Sequence, residues 1–295
     1  MVTALTGLGG LGKTALADAV VRATVDEGTY RDIIWIRVEP NTHPSANFQD
    51  HLLAELAAKF FLHAVPTLQR IEAIKKVLKK EPCLVVIDNL ESEIQDLSWL
   101  YFLQDFAEPS KFLLTGRVLP ATLANIHVTK MGELEMKPAS EFLVDHAQRL
   151  GFANHIDELQ EKAASIYAKT GGNPLALKLT VGLLHAWPLA TILRSLEQGP
   201  GSDVEAMYRH IFENSWQTIS PPARKMLQAM PLVGEEGGNM DQLQAISGLS
   251  EMETREALKE LATRSLVELR SVSRPRYGIH RLTDSFLRGQ VIQSL

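Results

Sequence analysis

Eight residues near the start of the chain, GLGGLGKT at positions 7–14, satisfy the pattern G-x-x-x-x-G-K-[ST]. The chemistry of such a loop is anion capture. Its glycines reach backbone conformations closed to other residues, so successive N–H groups converge on one phosphate. A helix starting near Lys13 adds the positive end of its dipole. Gly7, Gly9, Gly10, Leu11, Gly12 and Ala15 then form the cradle, Lys13 reaches the β- and γ-phosphates, and the Thr14 hydroxyl holds Mg²⁺. A metal held this way needs a partner carboxylate at the end of a neighbouring buried strand, and CLVVID (83–88) offers Asp88 there. Thr14 and Asp88 are the expected metal ligands. The next position often carries a second acid in phosphate-loop hydrolases, and here it is Asn89. An amide orients water but cannot take its proton. General-base assistance is worth ~10²–10⁴ in rate, so slow hydrolysis at best is expected. Glu91, two residues on, would substitute for that acid if the loop bent it inward; the favoured reading is a helix-start acid. FLLTGR (112–117) brings Thr115 and Arg117 to the carboxyl edge of the sheet, where a guanidinium matches phosphate oxygens. Asp88, Asn89 and Arg117 are thus the catalytic candidates. Two of them have a plain structural alternative: a helix cap for Asp88, a solvated strand end for Arg117.

The elements that must position these residues alternate. VTALT (2–6) reads as a strand feeding the glycine loop, followed by a helix over 13–28 and a β-branched strand over 33–38. Phe48, Leu52, Leu53, Leu56 and Phe60 recur at helical spacing, and a second helix carries Leu68, Ile71, Ile74, Val77 and Leu78 on one face against lysines on the other. Pro82 stops it. The wholly apolar run before Asp88 is the pattern of a strand buried on both faces. A helix over about 94–106, a strand over 111–117 and a weaker strand over 126–130 complete a parallel, doubly wound α/β sheet, placed at residues 1–137. From Pro138 to about Leu196 the chain reads as helical with one break at TGGNP (170–174), and EQGPGSD (197–203) is a linker by composition. Residues 138–202 are therefore assigned to a small helical domain. In residues 203–295, helices around 208–218, 221–229, 240–247 and 251–264 lead into two short strand candidates (266–271 and 276–280) and a last helix, the outline of a winged helix.

Composition excludes several classes. With 295 residues, 45% hydrophobic and 22% charged, this is an ordinary globular composition, long enough for two or three modules. The net charge of −5 provides no electrostatic attraction for nucleic acid or anionic membrane. One cysteine, Cys83, rules out an internal disulfide framework and fits a reducing, cytoplasmic compartment. No secretory signal is visible, and no apolar run approaches the ~20 residues that span a bilayer. Met1 lies at the edge of a core strand, so a natural N-terminal extension is expected.

Taken in order, LTGLGGLGKTALA, LVVIDNLE, LLTGR and GGNPLALKL resemble the NB-ARC module of plant resistance proteins, apoptotic adaptor ATPases and bacterial signalling ATPases of the STAND class. The resemblance covers nearly the whole chain. It implies a nucleotide-binding α/β domain, a small helical domain and a winged helix closing over ADP or ATP with Mg²⁺. The glycine loop with Lys13 and Thr14 matches the family's Walker A loop, and Asp88 its Walker B acid. Asn89 departs from the double acid of many members, although bacterial relatives commonly carry Asp-Asn. Arg117 matches the sensor arginine. Gly172, Asn173 and Pro174 match the Gly-x-Pro turn whose proline packs near adenine; a helix break and restart explains the same residues without a ligand. YGIHRLTDSFL resembles the Met-His-Asp region, and His280 matches the histidine on the β-phosphate of ADP, with Ile279 and Arg281 replacing the flanking Met and Asp. The family's segment before the first strand, which helps recognise the base, has no counterpart before Val2.

Two functions compete with an ADP/ATP switch joined to effector and sensor domains outside this chain, homo-oligomeric when ATP-bound. One is an ATP-regulated winged-helix DNA-binding regulator. Its recognition helix, SEMETREALKELATR (250–264), sets Glu251, Glu253, Glu256 and Glu260 against Arg255, Lys259 and Arg264, a balance unsuited to phosphates. The other is a working hydrolase or kinase, for which the sequence shows no convincing base.

Overall fold

The computed structural model describes residues 1–38, 48–62, 65–90, 98–117, 126–199, 204–234, 237–271, 275–280, 282–284 and 286–288. Glu91, Arg281 and the end of the expected linker lie outside the described residues. Two compact units are present: Met1–Leu8 with Gly12–Gly132, and Gly9–Leu11 with Glu133–Leu295.

The first unit alternates as expected. Strand β1 (Val2–Thr6) leads through the glycine loop into helix α1 (Lys13–Glu27), then β2 (Asp32–Arg37), α2 (Phe48–Lys59), α3 (Thr67–Lys80), β3 (Cys83–Leu90), α4 (Ser98–Phe106), β4 (Lys111–Gly116) and β5 (Ile126–Lys130). All pairings are parallel, in the order β2-β3-β4-β1-β5. Pleat alternation sorts the strand residues between two cores. Val85, Ile87, Phe112 and Leu114 pack with Ile74, Leu78, Trp99 and Leu103 of α3 and α4, whereas Leu84, Val86 and Leu113 pack with Ala17 of α1. Burial on both faces is why β3 carries no polar residue before Asp88. Cys83 is fully buried, and desolvation pushes its thiol pKa up, so it acts as a small apolar residue.

Two details differ from expectation. The strand bearing Asp88 is not the neighbour of β1, because β4 lies between them. β3 also continues two residues past Asp88, with a register irregularity between Ile87 and Leu90 and with Asn89 at φ 73°. Asparagine is among the few non-glycine residues that enter this left-handed region readily.

The second unit opens with α5 (Met136–Arg149), α6 (Ile156–Thr170), α7 (Pro174–Gly182) and α8 (Leu189–Gln198). Where one break was expected over 138–196, the chain breaks three times. Gly151 turns at φ 84°, Gly171 and Gly172 turn at 65° and 78°, and a 3₁₀ turn (Leu183–His185) precedes Pro188, which N-caps α8 and cannot extend the preceding helix. α7 is buried nearly all round, so the rest of the unit packs about it. Next come α9 (Val204–Thr218), α10 (Pro221–Ala229), α11 (Met240–Ser247), α12 (Glu251–Thr263) and an antiparallel pair, β6 (Glu268–Ser271) with β7 (Arg276–Gly278). Asn239 with Gln242 and Ser250 with Glu253 form capping boxes that set the starts of α11 and α12. Glu260 of α12 accepts from the Ser220 hydroxyl at 2.6 Å and from its N–H at 3.1 Å, tying α12 to the start of α10. Among the described residues, no helix is long and apolar enough to cross a membrane.

Gly116 ends β4 where a Cβ would stand 2.5 Å from the Leu90 carbonyl oxygen. Because that obstacle is backbone, Gly116→Ala must part β4 from β3. A loss of about 1–3 kcal/mol is expected in urea unfolding, whereas Gly132→Ala, with nothing within 4 Å of its Cβ, stays within about 0.5 kcal/mol. Equal midpoints for the two variants would refute the close β3–β4 approach at this edge.

Candidate functional site

The carboxyl ends of the parallel strands converge on Asp88, whose side chain is only 1% exposed. Burying a carboxylate costs several kcal/mol unless its oxygens are paired. Here they are. Oδ1 accepts from the Thr14 hydroxyl at 2.8 Å and from the Thr115 hydroxyl at 2.6 Å. Oδ2 accepts from Arg37 Nη2 at 3.1 Å and Nε at 3.3 Å. Each donor comes from a different element: Thr14 from the first turn of α1, Thr115 from the end of β4, and Arg37 from the end of β2, directly opposite Asp88 in the parallel register.

The loop before α1 follows the same logic. Gly12 caps the helix at φ 87° with no side-chain cap, so the first-turn N–H groups of Lys13, Thr14 and Ala15 are set for an anion. Gly7 and Gly10 also have positive φ, at 149° and 81°. Lys13 Nζ donates to the carbonyls of Gly7 and Leu8, both at 2.8 Å. The entrance of the loop is tied to β4, because the Gly7 N–H donates to the Arg117 carbonyl at 3.2 Å. Arg117 is thus brought to the loop through its backbone, and its side chain is partly buried.

Asn89, expected to face attacking water, has its side-chain amide donating to the Val38 carbonyl at 2.9 Å, while its backbone N–H donates to Thr115 Oγ1 at 3.0 Å. It links the ends of β2 and β3. Thr115 therefore both accepts from Asn89 and donates to Asp88, bridging the two positions.

The donor set fits a magnesium ion carried in with a nucleotide. Magnesium takes oxygen ligands, usually one or two carboxylates plus substrate phosphates; Thr14 Oγ1 and Asp88 Oδ1 are a hydroxyl and a carboxylate oxygen 2.8 Å apart. Among the described residues there is no cluster of three or more His, Cys, Asp or Glu to hold a metal alone.

The remaining candidates lie on the second unit. Pro174 is the first residue of α7, with Asn173 as its cap: Asn173 Oδ1 accepts from the N–H groups of Leu175 and Ala176 at 3.0 and 3.2 Å. His280 follows β7, and its Nδ1 accepts from the Leu282 N–H at 3.2 Å. The proton of the neutral ring then resides on Nε2, the nitrogen able to donate to an anion. Sequence reasoning missed Arg37. Its only local signal is a charge ending an apolar strand, and its partner follows only from strand order.

Residues 1–143 match the NB-ARC domain family. The chain is 26% identical over 293 residues to an uncharacterized WD repeat-containing protein of a Nostoc species, covering 90% of this chain and 23% of that protein. It is 26% identical over 305 residues to the regulatory protein AfsR of Streptomyces coelicolor, covering 97% of this chain and 29% of AfsR. The chain thus spans less than a third of the length of these curated relatives. Among solved structures, a STAND protein with a tetratricopeptide repeat sensor from Pyrococcus horikoshii superposes with a TM-score of 0.62 at 17% identity, over 97% of this chain and 40% of that one. The match of residues 1–143 to the NB-ARC domain, a nucleotide-binding P-loop module, thus goes together with the fold of a STAND protein over nearly the whole chain.

Proposed function

We propose that this chain is the ADP/ATP-binding switch module of a multidomain signal-transduction ATPase, closed with ADP, opened by ATP exchange, and slow or inactive in hydrolysis. One observation carries the reading. The buried Asp88 carboxylate holds the Thr14 hydroxyl at 2.8 Å, while the following position is an asparagine whose amide is bonded to Val38. That arrangement supports a site for metal and phosphate in which, among the described residues, the position after Asp88 offers no carboxylate to activate water. In this reading Lys13 and the loop N–H groups bind the phosphates, with Thr14 and Asp88 holding Mg²⁺ when it accompanies them. Arg117 reports on the γ-phosphate, His280 donates from Nε2 to the β-phosphate of ADP, and Pro174 packs on adenine. ATP and ADP then favour different arrangements because each has its own contacts, which is the requirement for a ligand-driven switch.

The domain reading goes with it: a nucleotide-binding domain over 1–137, a helical domain over 138–202 and a winged helix over 203–295. Supporting the last is the succession of α10, α11 and α12 followed by the antiparallel β6–β7 pair. Effector and sensor domains outside this chain are supported by the greater length of the relatives, one of which carries WD repeats in its name and one a tetratricopeptide sensor. A cytoplasmic location and oligomerisation with ATP belong to the same proposal.

Denaturing the purified protein and separating the released nucleotide by chromatography tests the closed arrangement. Stoichiometric ADP is expected, and bound ATP in its place would overturn it. Lys13→Ala removes the charge on the phosphates and should weaken a fluorescent ATP analogue by about 2–5 kcal/mol, more than thirtyfold; unaltered affinity would sink the site. His280→Ala should weaken ADP by about tenfold while sparing ATP, a coupling of typical size. Equal losses for both nucleotides would remove His280 from the switch.

A further inference from the structure

We propose that Arg37 is the resident counter-ion of Asp88 and limits how much a divalent cation adds to nucleotide binding. The inference rests on the nucleotide site proposed above and concerns a residue that reading does not use. Arg37 and Asp88 are register partners on adjacent parallel strands. The backbone around them is fixed: the Val38 N–H donates to the Asp88 carbonyl at 2.9 Å, and Asn89 Nδ2 donates to the Val38 carbonyl at 2.9 Å. The guanidinium is therefore delivered to the carboxylate by the sheet itself, and both Nε and Nη2 reach Oδ2.

The two carboxylate oxygens differ in what their partners can do. Thr14 and Thr115 are hydroxyl rotors on Oδ1, able to turn their protons away and present lone pairs. Arg37 on Oδ2 carries only donors and has no lone pair to offer a metal. A cation at the Oδ1 side consequently meets a carboxylate whose charge is already compensated, and meets a fixed positive charge across it. The pair is largely shielded, with side-chain exposures of 29% for Arg37 and 1% for Asp88, so solvent screens this repulsion only partly. Asp88 then acts as a weaker metal ligand than its burial alone implies, and nucleotide holds with little help from Mg²⁺.

The experiment measures the affinity of the full chain for a fluorescent ADP analogue in EDTA and in saturating Mg²⁺, and takes the ratio of the two dissociation constants. Wild type is compared with Arg37→Met and Arg37→Gln, which remove the charge, and with Arg37→Lys, which keeps it. The two neutral variants should raise the stabilisation by Mg²⁺ at least about fivefold, the lower end of couplings between sites, while Arg37→Lys stays close to wild type. An unchanged ratio in the neutral variants that still bind ADP in EDTA overturns the proposal and leaves the nucleotide site standing. An equal rise in Arg37→Lys overturns it as well, since packing rather than charge would be responsible. Should Arg37→Met fail to fold, Arg37→Gln decides. Failure of the wild-type chain to bind ADP under either condition defeats the nucleotide site itself, and this proposal with it.

Discussion

Among the described residues of the first unit, one buried carboxylate, Asp88, gathers the strand ends around it. The carboxylate of Asp88 is stable at the end of an apolar strand only because α1, β2 and β4 each deliver a donor to it. That requirement explains why β4 must intervene between β1 and β3. From there Thr115 joins Thr14 in donating to the same oxygen, Asp88 Oδ1, through a pair of short hydrogen bonds. It also explains why the edge tolerates so little added volume: Gly116 follows Thr115 and lies against the Leu90 carbonyl, so the strand ends must approach closely for the three donors to reach one group.

Much of this arrangement was legible from residue types. The glycine loop, its lysine and threonine, and an acid after five apolar residues are local patterns, since the physics that selects each operates within a few residues of chain. Strand order is not local. Nothing within CLVVID states that FLLTGR rather than VTALT pairs beside it, so Arg37, whose role depends on facing Asp88 across β2 and β3, was invisible. Asn89's structural bonds were hidden for a related reason. Its place after Asp88 suggested water, but its backbone conformation and its bond to Val38 belong to the strand ends. In the second unit, Gly151 and Pro188 were read through as helix, although Gly151 lies just past the end of α5 and Pro188 caps the start of α8. Apolar periodicity continues across such breaks and hides them.

The GGNPLAL segment shows how one set of residues satisfies two readings. Asn173 caps α7 and Pro174 occupies its first turn, and Gly172 adopts a positive φ where a Cβ would collide with the Leu134 carbonyl. Every residue of the motif is thus accounted for by the start of a helix that is the hub of its unit. This does not remove a contact with adenine from the proposal. It means that loss of function after mutating Pro174 carries little weight unless folding is measured alongside, which is why Lys13 and His280 are the more informative positions.

Position 89 bears most directly on the balance between holding and hydrolysing a nucleotide. An acid there would have to serve two masters. The backbone at φ 73° favours asparagine, and the amide is the donor that closes β2 onto β3 through the Val38 carbonyl. A carboxylate has no proton to donate at neutral pH, so replacing Asn89 with an acid would leave that carbonyl without this bond and place a second negative charge beside Asp88. The scaffold that keeps Arg37 on Asp88 and the geometry that would activate water therefore compete for the same residue. With the amide in place, the strand ends are tied together around a compensated carboxylate, which supports the proposed reading of a site that keeps its nucleotide rather than hydrolysing it.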